Sequence, residues 1–127
     1  MTGYVIDASA FLAIIRSEIG ADRASARIRG ASMSTVNASE ALMRGAEKGT
    51  PLDLMRAFLA SRDVNFVDFD ADLAVRAALL RPSTKRAGLS FADRACIATA
   101  IRLNATVVTA DRVWAELDLP CEVELIR

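Results

Sequence analysis

Two kinds of apolar pattern alternate along the chain. Short runs rich in branched and aromatic residues predict strands, and longer segments with apolar positions three or four apart predict helices. The predicted strands cover residues 3–6, 32–35, 64–69, 105–109 and 121–126. The predicted helices cover residues 10–16, 20–30, 36–49, 51–63, 71–80, 91–103 and 111–117. Residues 81–88, RPSTKRAG, predict a loop because they combine Pro, Ser, Thr and Gly with three cations.

This alternation of strands and helices favours a sheet covered by helices on both faces. We therefore expect an α/β protein, a three-layer α/β/α sandwich with a central, mainly parallel sheet of about five strands. The length of 127 residues predicts a single domain, 1–127. The sequence shows no apolar run of membrane-spanning length and no secretory signal, so a cytoplasmic protein is expected.

Composition narrows the chemistry. The 127 residues include no histidine, which excludes His-based catalysis and His-ligated zinc. Cys96 and Cys121 lack the close spacing of a zinc or redox pair, and Cys96 is expected in the core. A net charge of zero argues weakly against a nucleic-acid-binding protein. Arginine nevertheless dominates the cations, and its side chain suits bidentate contact with phosphate.

Four acids stand where predicted strands pass into predicted helices: Asp7, Glu40, Asp93 and Asp111. The carboxyl ends of parallel strands share one edge of a sheet, and open α/β sheets bind ligands there. Carboxylates gathered at that edge repel one another unless a cation lies between them. Oxygen ligands of this kind suit Mg²⁺ or Mn²⁺, and such sites commonly support displacement at phosphorus.

Each acid also has a structural interpretation. Asp7 and Asp111 could be helix N-caps. The pairs Ser90/Asp93 and Asn37/Glu40 have the spacing of capping boxes. Capping does not require an acid after each of several strands, and an acid in a first helical turn can both cap and coordinate. The two interpretations are therefore compatible.

The segments that carry these acids resemble a known family. VIDASAFLAII, STVNASEAL, LSFADRACIATA and VVTADRVW together are similar to PIN-domain ribonucleases, and within them to VapC-type toxins of bacterial toxin–antitoxin pairs. The resemblance spans nearly the whole chain. It implies that Asp7, Glu40, Asp93 and Asp111 are catalytic residues that bind metal, and that Ser9, Thr109 and, less securely, Thr35 place hydroxyls beside it.

The resemblance further implies hydrolysis of RNA with Mg²⁺ or Mn²⁺ as cofactor, a cognate VapB-type antitoxin as partner, and a homodimer. The resemblance also implies that the antitoxin's tail lies in a groove formed by early helices. Apolar residues of these helices could line that groove, although a place in the core is the simpler interpretation for at least half of them. These residues are Phe11, Ile15, Leu54, Met55 and Phe58.

Several cations are candidates for contact with substrate phosphates. Those of the predicted loop and its flank are equally compatible with a solvated surface, and two others each follow a site acid. The candidates are Arg81, Lys85, Arg86, Arg94 and Arg112. A further acidic run, Asp68 to Asp72, lacks the Gly and Glu of a calcium loop, so Asp70 is expected to be a helix cap.

Other functional classes fit less well. A phosphoaspartate receiver needs a Lys after a late strand, and neither Lys48 nor Lys85 has that position. A haloacid-dehalogenase phosphatase needs a second acid two residues after Asp7, where this chain has Ser9. The remaining alternative is a catalytically inactive, PIN-like interaction module, which predicts no metal binding.

Overall fold

The structure is a computed structural model and describes residues 3–127. Over this range the chain forms five β-strands, seven α-helices and one 3₁₀ helix. Their order is β1 (Tyr4–Ile6), α1 (Ala8–Ile15), α2 (Ala21–Ile28), β2 (Ser32–Ser34), α3 (Thr35–Glu47), α4 (Leu52–Ser61), β3 (Asn65–Val67), α5 (Ala71–Leu79), α6 (Arg81–Thr84), α7 (Phe91–Leu103), β4 (Thr106–Thr109), the 3₁₀ helix (Arg112–Glu116) and β5 (Val123–Leu125).

The sheet has the strand order β3-β2-β1-β4-β5. Every strand pairing within residues 3–127 is parallel, so the expected mainly parallel sheet is wholly parallel in this range. In register, Val5 pairs with Val107 and Ile6 with Val108. The chain leaves β1 toward β2 on one side, and β4 lies on the other side. The β1–β4 boundary is therefore where the strand order reverses, and crevices form at such points.

The two faces of the sheet bury different residues because side chains alternate along a strand. Ile6 and Val108 pack with buried residues of α1 to α4. Val5 and Val107 pack on the opposite face with residues of α5 and α7 and with Trp114. Helices therefore cover both faces, which confirms the predicted three-layer α/β/α sandwich.

The predicted loop at 81–88 is wrong in its first half, since residues 81–84 form α6. Pro82 lies in the first turn, where a missing N–H has no consequence for the helix. The buried Thr84 hydroxyl donates to the Leu80 carbonyl and holds the turn together. Polar composition alone therefore suggested a loop where a short helix forms.

The cap of α3 also differs from its prediction. The helix begins at Thr35, and Ser34 is its N-cap, whose side chain accepts a hydrogen bond from Val36 N–H. Asn37 lies inside the helix, so it does not form a capping box with Glu40. The remaining predicted caps are confirmed, because Asp7, Asp70 and Asp111 accept backbone hydrogen bonds and Ser90 and Asp93 form a capping box.

Core positions agree with the apolar pattern. Cys96 is buried as expected, and so are Phe11 and Met55 among the five groove candidates. Ile15 and Phe58 are partly buried against the same core, whereas Leu54 is exposed. None of the helices in residues 3–127 has the length and apolar character that a bilayer span requires.

Candidate active site

An open cavity of about 450 Å³ lies at the β1–β4 boundary and contains all four predicted acids. Its wall combines carboxylates, arginines, small residues and one amide. The lining residues are Asp7, Ala8, Ser9, Leu12, Arg16, Glu18, Asn37, Glu40, Arg44, Ser90, Asp93, Asp111 and Arg127. The sequence prediction that Asp7, Glu40, Asp93 and Asp111 share one place in the fold agrees with this arrangement.

Asp7 is the buried acid of the cavity. It follows β1 directly and caps α1, so the backbone fixes its side chain at the end of the central strand. Oδ1 accepts hydrogen bonds from Ala10 N–H at 2.8 Å and from the Ser9 hydroxyl at 2.7 Å. Oδ2 accepts one from the Thr109 hydroxyl at 2.6 Å. These bonds come from the first turn of α1 and from the end of β4, and they hold the carboxylate in one orientation.

Burial raises the pKa of Asp7 to about 6. Hydrogen bonds from Thr109, Ala10 and Ser9 oppose this rise because they stabilise the charged form. The negative charge of Asp93 adds to it. The carboxylate is thus ionised at neutral pH, but at a cost that a nearby cation would relieve.

Asp93 couples the acids electrostatically. It lies in the first turn of α7, where its Oδ2 accepts a hydrogen bond from Ser90 N–H at 2.9 Å. Desolvation raises the pKa of Asp93, and the charge of Asp111 raises it further. Burial is the largest effect on the pKa of Glu40 and raises it. The positive charge of Arg44 lowers this pKa, and the negative charge of Asp93 raises it. Asp93 is thus electrostatically coupled to the other three acids, as expected for carboxylates that face one cavity.

Three of the acids keep coordinating capacity. Glu40 pairs with Arg44 through Oε2 at 3.2 Å, and Asp111 accepts from Val113 N–H through Oδ1. Among residues 3–127, Glu40, Asp93 and Asp111 each retain one carboxylate oxygen without a hydrogen bond or an ion pair. The donors are hard oxygen atoms and the cluster is acidic, so the residues fit a hard divalent cation chemically.

The four acids face the cavity, but their side chains do not surround a single position where a metal ion could bind. In residues 3–127, no three acidic or thiol groups are arranged so as to enclose a metal ion. For the acids to share a cation, the free oxygens of Glu40, Asp93 and Asp111 would have to rotate. Their partial exposure leaves room for such rotation, whereas Asp7 is held from three sides.

The hydroxyl residues divide into two groups. Ser9 and Thr109 both bond to Asp7, and the Ser9 hydroxyl also accepts from Ala110 N–H at 2.9 Å. Thr35 lies elsewhere: its hydroxyl accepts a hydrogen bond from Phe69 N–H, and it lines a different cavity. The structure therefore brings Ser9 and Thr109, but not Thr35, to the acids.

The five cations proposed for substrate contact do not line the cavity. Arg94 donates to the Ala77 carbonyl at 3.1 Å and lies against the Phe91 ring, so it has a packing role. Arg81, Lys85, Arg86 and Arg112 are exposed. Phosphate contact by these four stays a prediction for a longer substrate that extends beyond the cavity.

Three other arginines line the cavity. Arg16 follows α1 and donates to the Arg44 carbonyl, Arg44 pairs with Glu40, and Arg127 bonds to Glu18 and to the Ile19 carbonyl. The sequence places Arg16 in a possible phosphate-binding strip with Arg23, Arg27 and Arg29, for which a solvated helix face is the default interpretation. It does not single out Arg44 or Arg127. The i, i+4 spacing of Glu40 and Arg44 was the available signal, since it places both on one face of a helix.

Asn37 also differs from its prediction, because it lies within α3 and not at its cap. It lines the cavity and is 1% exposed, one helical turn before Glu40. The same i, i+3 spacing that suggested a capping box puts both residues on one helix face. The spacing is compatible with a capping box and with a shared helix face, and the structure has the shared face.

The fold and cavity together define a class: a three-layer α/β/α protein with carboxylates at the carboxyl edge of a parallel sheet. Within that class the chain belongs to the PIN domain family, whose model matches residues 4–119.

Solved structures support the fold assignment. The chain is similar to a toxin–antitoxin complex from Klebsiella pneumoniae, with 18% identity, a TM-score of 0.80 and coverage of 98% of each chain. It is also similar to DNA-bound VapBC from Salmonella typhimurium, with 19% identity, a TM-score of 0.72 and full coverage of both chains. VapBC-5 from Mycobacterium tuberculosis is 24% identical, with a TM-score of 0.59 over 100% of this chain and 99% of that chain. No curated protein matches the sequence.

Proposed function

We propose that this protein is a metal-dependent endoribonuclease and the toxin of a VapBC-type pair. One observation carries the catalytic part: four carboxylates from separate elements face one cavity. The charge of Asp93 raises the pKa of Asp7 and of Glu40, and the charge of Asp111 raises the pKa of Asp93. Membership of the PIN family supports nuclease chemistry. The similarity to VapBC complexes supports the toxin role.

Asp7, Glu40, Asp93 and Asp111 would hold Mg²⁺ or Mn²⁺. When bound, the ion supplies a nucleophile from water near neutral pH and stabilises charge on the phosphodiester oxygens. Ser9 and Thr109 keep Asp7 oriented through their hydroxyl groups.

Cations on the cavity wall complete the proposed mechanism. Arg16, Arg44 and Arg127 lie on the wall formed by α1, α3 and the C-terminal segment. Their guanidinium groups would hold the phosphates on either side of the cleaved bond. These contacts would be to the sugar-phosphate backbone, so they would position the RNA without reading its sequence.

Cleavage of a labelled RNA by the purified chain, with and without Mn²⁺, tests the catalytic proposal. We expect cleavage that EDTA abolishes and that Asp93→Asn lowers by at least 100-fold. Asp53→Asn is a matched control, because Asp53 is also a first-turn helix acid but lies on the exposed surface of α4. Full activity in Asp93→Asn protein would remove the site assignment.

A PIN-like interaction module without catalysis is the second candidate. It is favoured by the finding that the acids of residues 3–127 do not enclose a metal position. Calorimetry with Mn²⁺ separates the two, since the module predicts no binding heat. Binding that disappears in Asp7→Asn protein would support the nuclease.

The toxin role has its own test. We expect induced expression of the chain to arrest bacterial growth and Asp93→Asn expression to be harmless. Co-expression of a VapB-type antitoxin from the adjacent reading frame should restore growth and co-purify with the chain. Growth arrest that persists in the Asp93→Asn strain would show toxicity unrelated to cleavage.

The homodimer is part of the same proposal and is tested by light scattering of the purified chain. A mass near twice 13.6 kDa is expected, and a peak at 13.6 kDa would contradict it.

A further inference from the structure

Asn37 connects the two helices that carry site acids. Its Nδ2 donates a 2.9 Å hydrogen bond to the carbonyl of Ala92, the residue before Asp93 on α7. Asn37 itself lies one turn before Glu40 on α3. A single amide therefore links the backbone beside one acid to the helix face of another.

This bond also fixes which way the amide is turned. A carbonyl oxygen can only accept, so the Asn37 nitrogen must face Ala92 and the Oδ1 atom must point away from it. Oδ1 is buried, and among residues 3–127 it accepts no hydrogen bond. Buried amide oxygens are nearly always satisfied in folded proteins, and leaving one without a partner is costly.

We propose that Asn37 is a positioning residue of the cavity, whose Oδ1 accepts a hydrogen bond from a water molecule held beside the bound cation. The inference rests on the proposed function. Nδ2 sets the separation of α3 and α7, and therefore of Glu40 and Asp93. Oδ1 orients that water molecule toward the carboxylates.

Water is the ligand that the surroundings favour. The ionised carboxylates of Glu40 and Asp93 can only accept hydrogen bonds, so they cannot satisfy Oδ1. A water molecule can donate one hydrogen to Oδ1 and the other to a carboxylate. A ribose hydroxyl has the same donor chemistry, and the addition of RNA without metal, described below, distinguishes it from water.

The test measures Mn²⁺ binding by calorimetry in wild-type, Asn37→Ala and Asn65→Ala proteins. Loss of an outer-sphere partner typically weakens metal binding 10- to 100-fold, and we expect Asn37→Ala to do so. Asn65→Ala makes the same chemical change at an exposed position on β3 and should bind as wild type does. Wild-type affinity in Asn37→Ala protein would overturn the inference.

A measurement on the unchanged protein covers the case in which Asn37→Ala does not fold. The Asn37 side-chain amide resonances should shift as Mg²⁺ is added, while those of Asn65 stay in place. Absence of a shift at saturating Mg²⁺ would overturn the role of Oδ1. Adding RNA without metal shows whether water or a ribose hydroxyl donates to Oδ1. A shift of the Asn37 resonances on RNA alone would assign the donor to ribose and contradict the proposed water molecule.

These outcomes separate the two proposals. If wild-type protein binds no Mn²⁺, the proposed metal-dependent function fails and the inference fails with it. If wild-type protein binds Mn²⁺ and cleaves RNA while Asn37→Ala behaves identically, the proposed function stands and only the assignment of Asn37 is wrong.

Discussion

The Thr109 hydroxyl donates a 2.6 Å hydrogen bond to Oδ2 of Asp7, across the boundary between β4 and β1. It is the largest hydrogen-bonding contribution that lowers the Asp7 pKa. Thr109→Val keeps the shape of the side chain and removes this bond. We therefore expect the Asp7 pKa to rise above 6 and Mn²⁺ binding to require a higher pH, which calorimetry over a pH series would measure.

Thr106→Val is the matched control for this prediction. Thr106 lies on the same strand, outside the cavity, so the substitution should leave the pH dependence unchanged. An unshifted profile in Thr109→Val protein would mean that Thr109 does not control the charge of Asp7.

The pKa of Asp7 predicts an inverse relation between stability and metal-binding capacity. The folded-state value of about 6 exceeds the ordinary value of 3.8. The contribution of Asp7 to the free energy of unfolding is therefore fully present below about pH 4 and is lost as the pH rises through about 6. At one pKa unit per 1.4 kcal/mol, the loss is about 3 kcal/mol above that window.

Asp7→Asn should reverse this loss. The neutral amide can still accept from Ala10 N–H and can donate to the neighbouring hydroxyls, so the cap survives. Without metal at pH 8, we expect the free energy of unfolding to increase by about 1–3 kcal/mol, from urea titration. Asp111→Asn, at an exposed position, should change it by less than about 0.5 kcal/mol. A destabilised Asp7→Asn protein would contradict the cost assigned to burial.

The arginines of the cavity predict a salt-dependent contribution to RNA binding. Each phosphate contact that is removed from single-stranded RNA lowers the slope of log affinity against log salt by about 0.7. We expect Arg16→Gln to show this change and Arg81→Gln to show less, since only Arg16 lines the cavity. The measurement is fluorescence anisotropy with labelled RNA and Asp93→Asn protein, which prevents cleavage. Equal slopes for Arg16→Gln and the parent would exclude the phosphate contact.

Packing between α3 and α4 gives a prediction independent of function. A Cβ at Gly45 would overlap the Sδ atom of Met55, which is fully buried. Gly45→Ala gains up to about 1 kcal/mol of helix propensity but forces Met55 to move, at a cost of about 1–3 kcal/mol. We expect a net loss of unfolding free energy in urea. Ala46→Gly, at the exposed neighbouring position, tests the propensity contribution alone.

The sequence predicted the layers, the strand positions and the convergence of the four acids. These depend on strong periodic signals and on the rule that parallel strands end at one edge. It missed α6 because the Leu80 carbonyl that holds Thr84 is a contact within the folded turn, which composition does not reveal. It also misplaced Asn37, since the partner of its side chain lies 55 residues away on α7.

The positions of the arginines around the cavity also depend on long-range contacts that local sequence does not reveal. Arg127 reaches the cavity because the chain after β5 runs alongside the connection between α1 and α2, where Arg127 bonds to Glu18 and to the Ile19 carbonyl. No local pattern connects those two positions. The cations close to Asp93 in sequence, by contrast, lie outside the cavity wall.

The burial of Asp7 has an evolutionary consequence. Most substitutions at buried positions weaken a fold, so selection for foldability ordinarily preserves them. At Asp7, a neutral replacement would make the fold more robust while removing a carboxylate of the proposed metal site. If the proposed function holds, a lineage released from the need to cleave RNA is expected to drift readily to Asn at position 7.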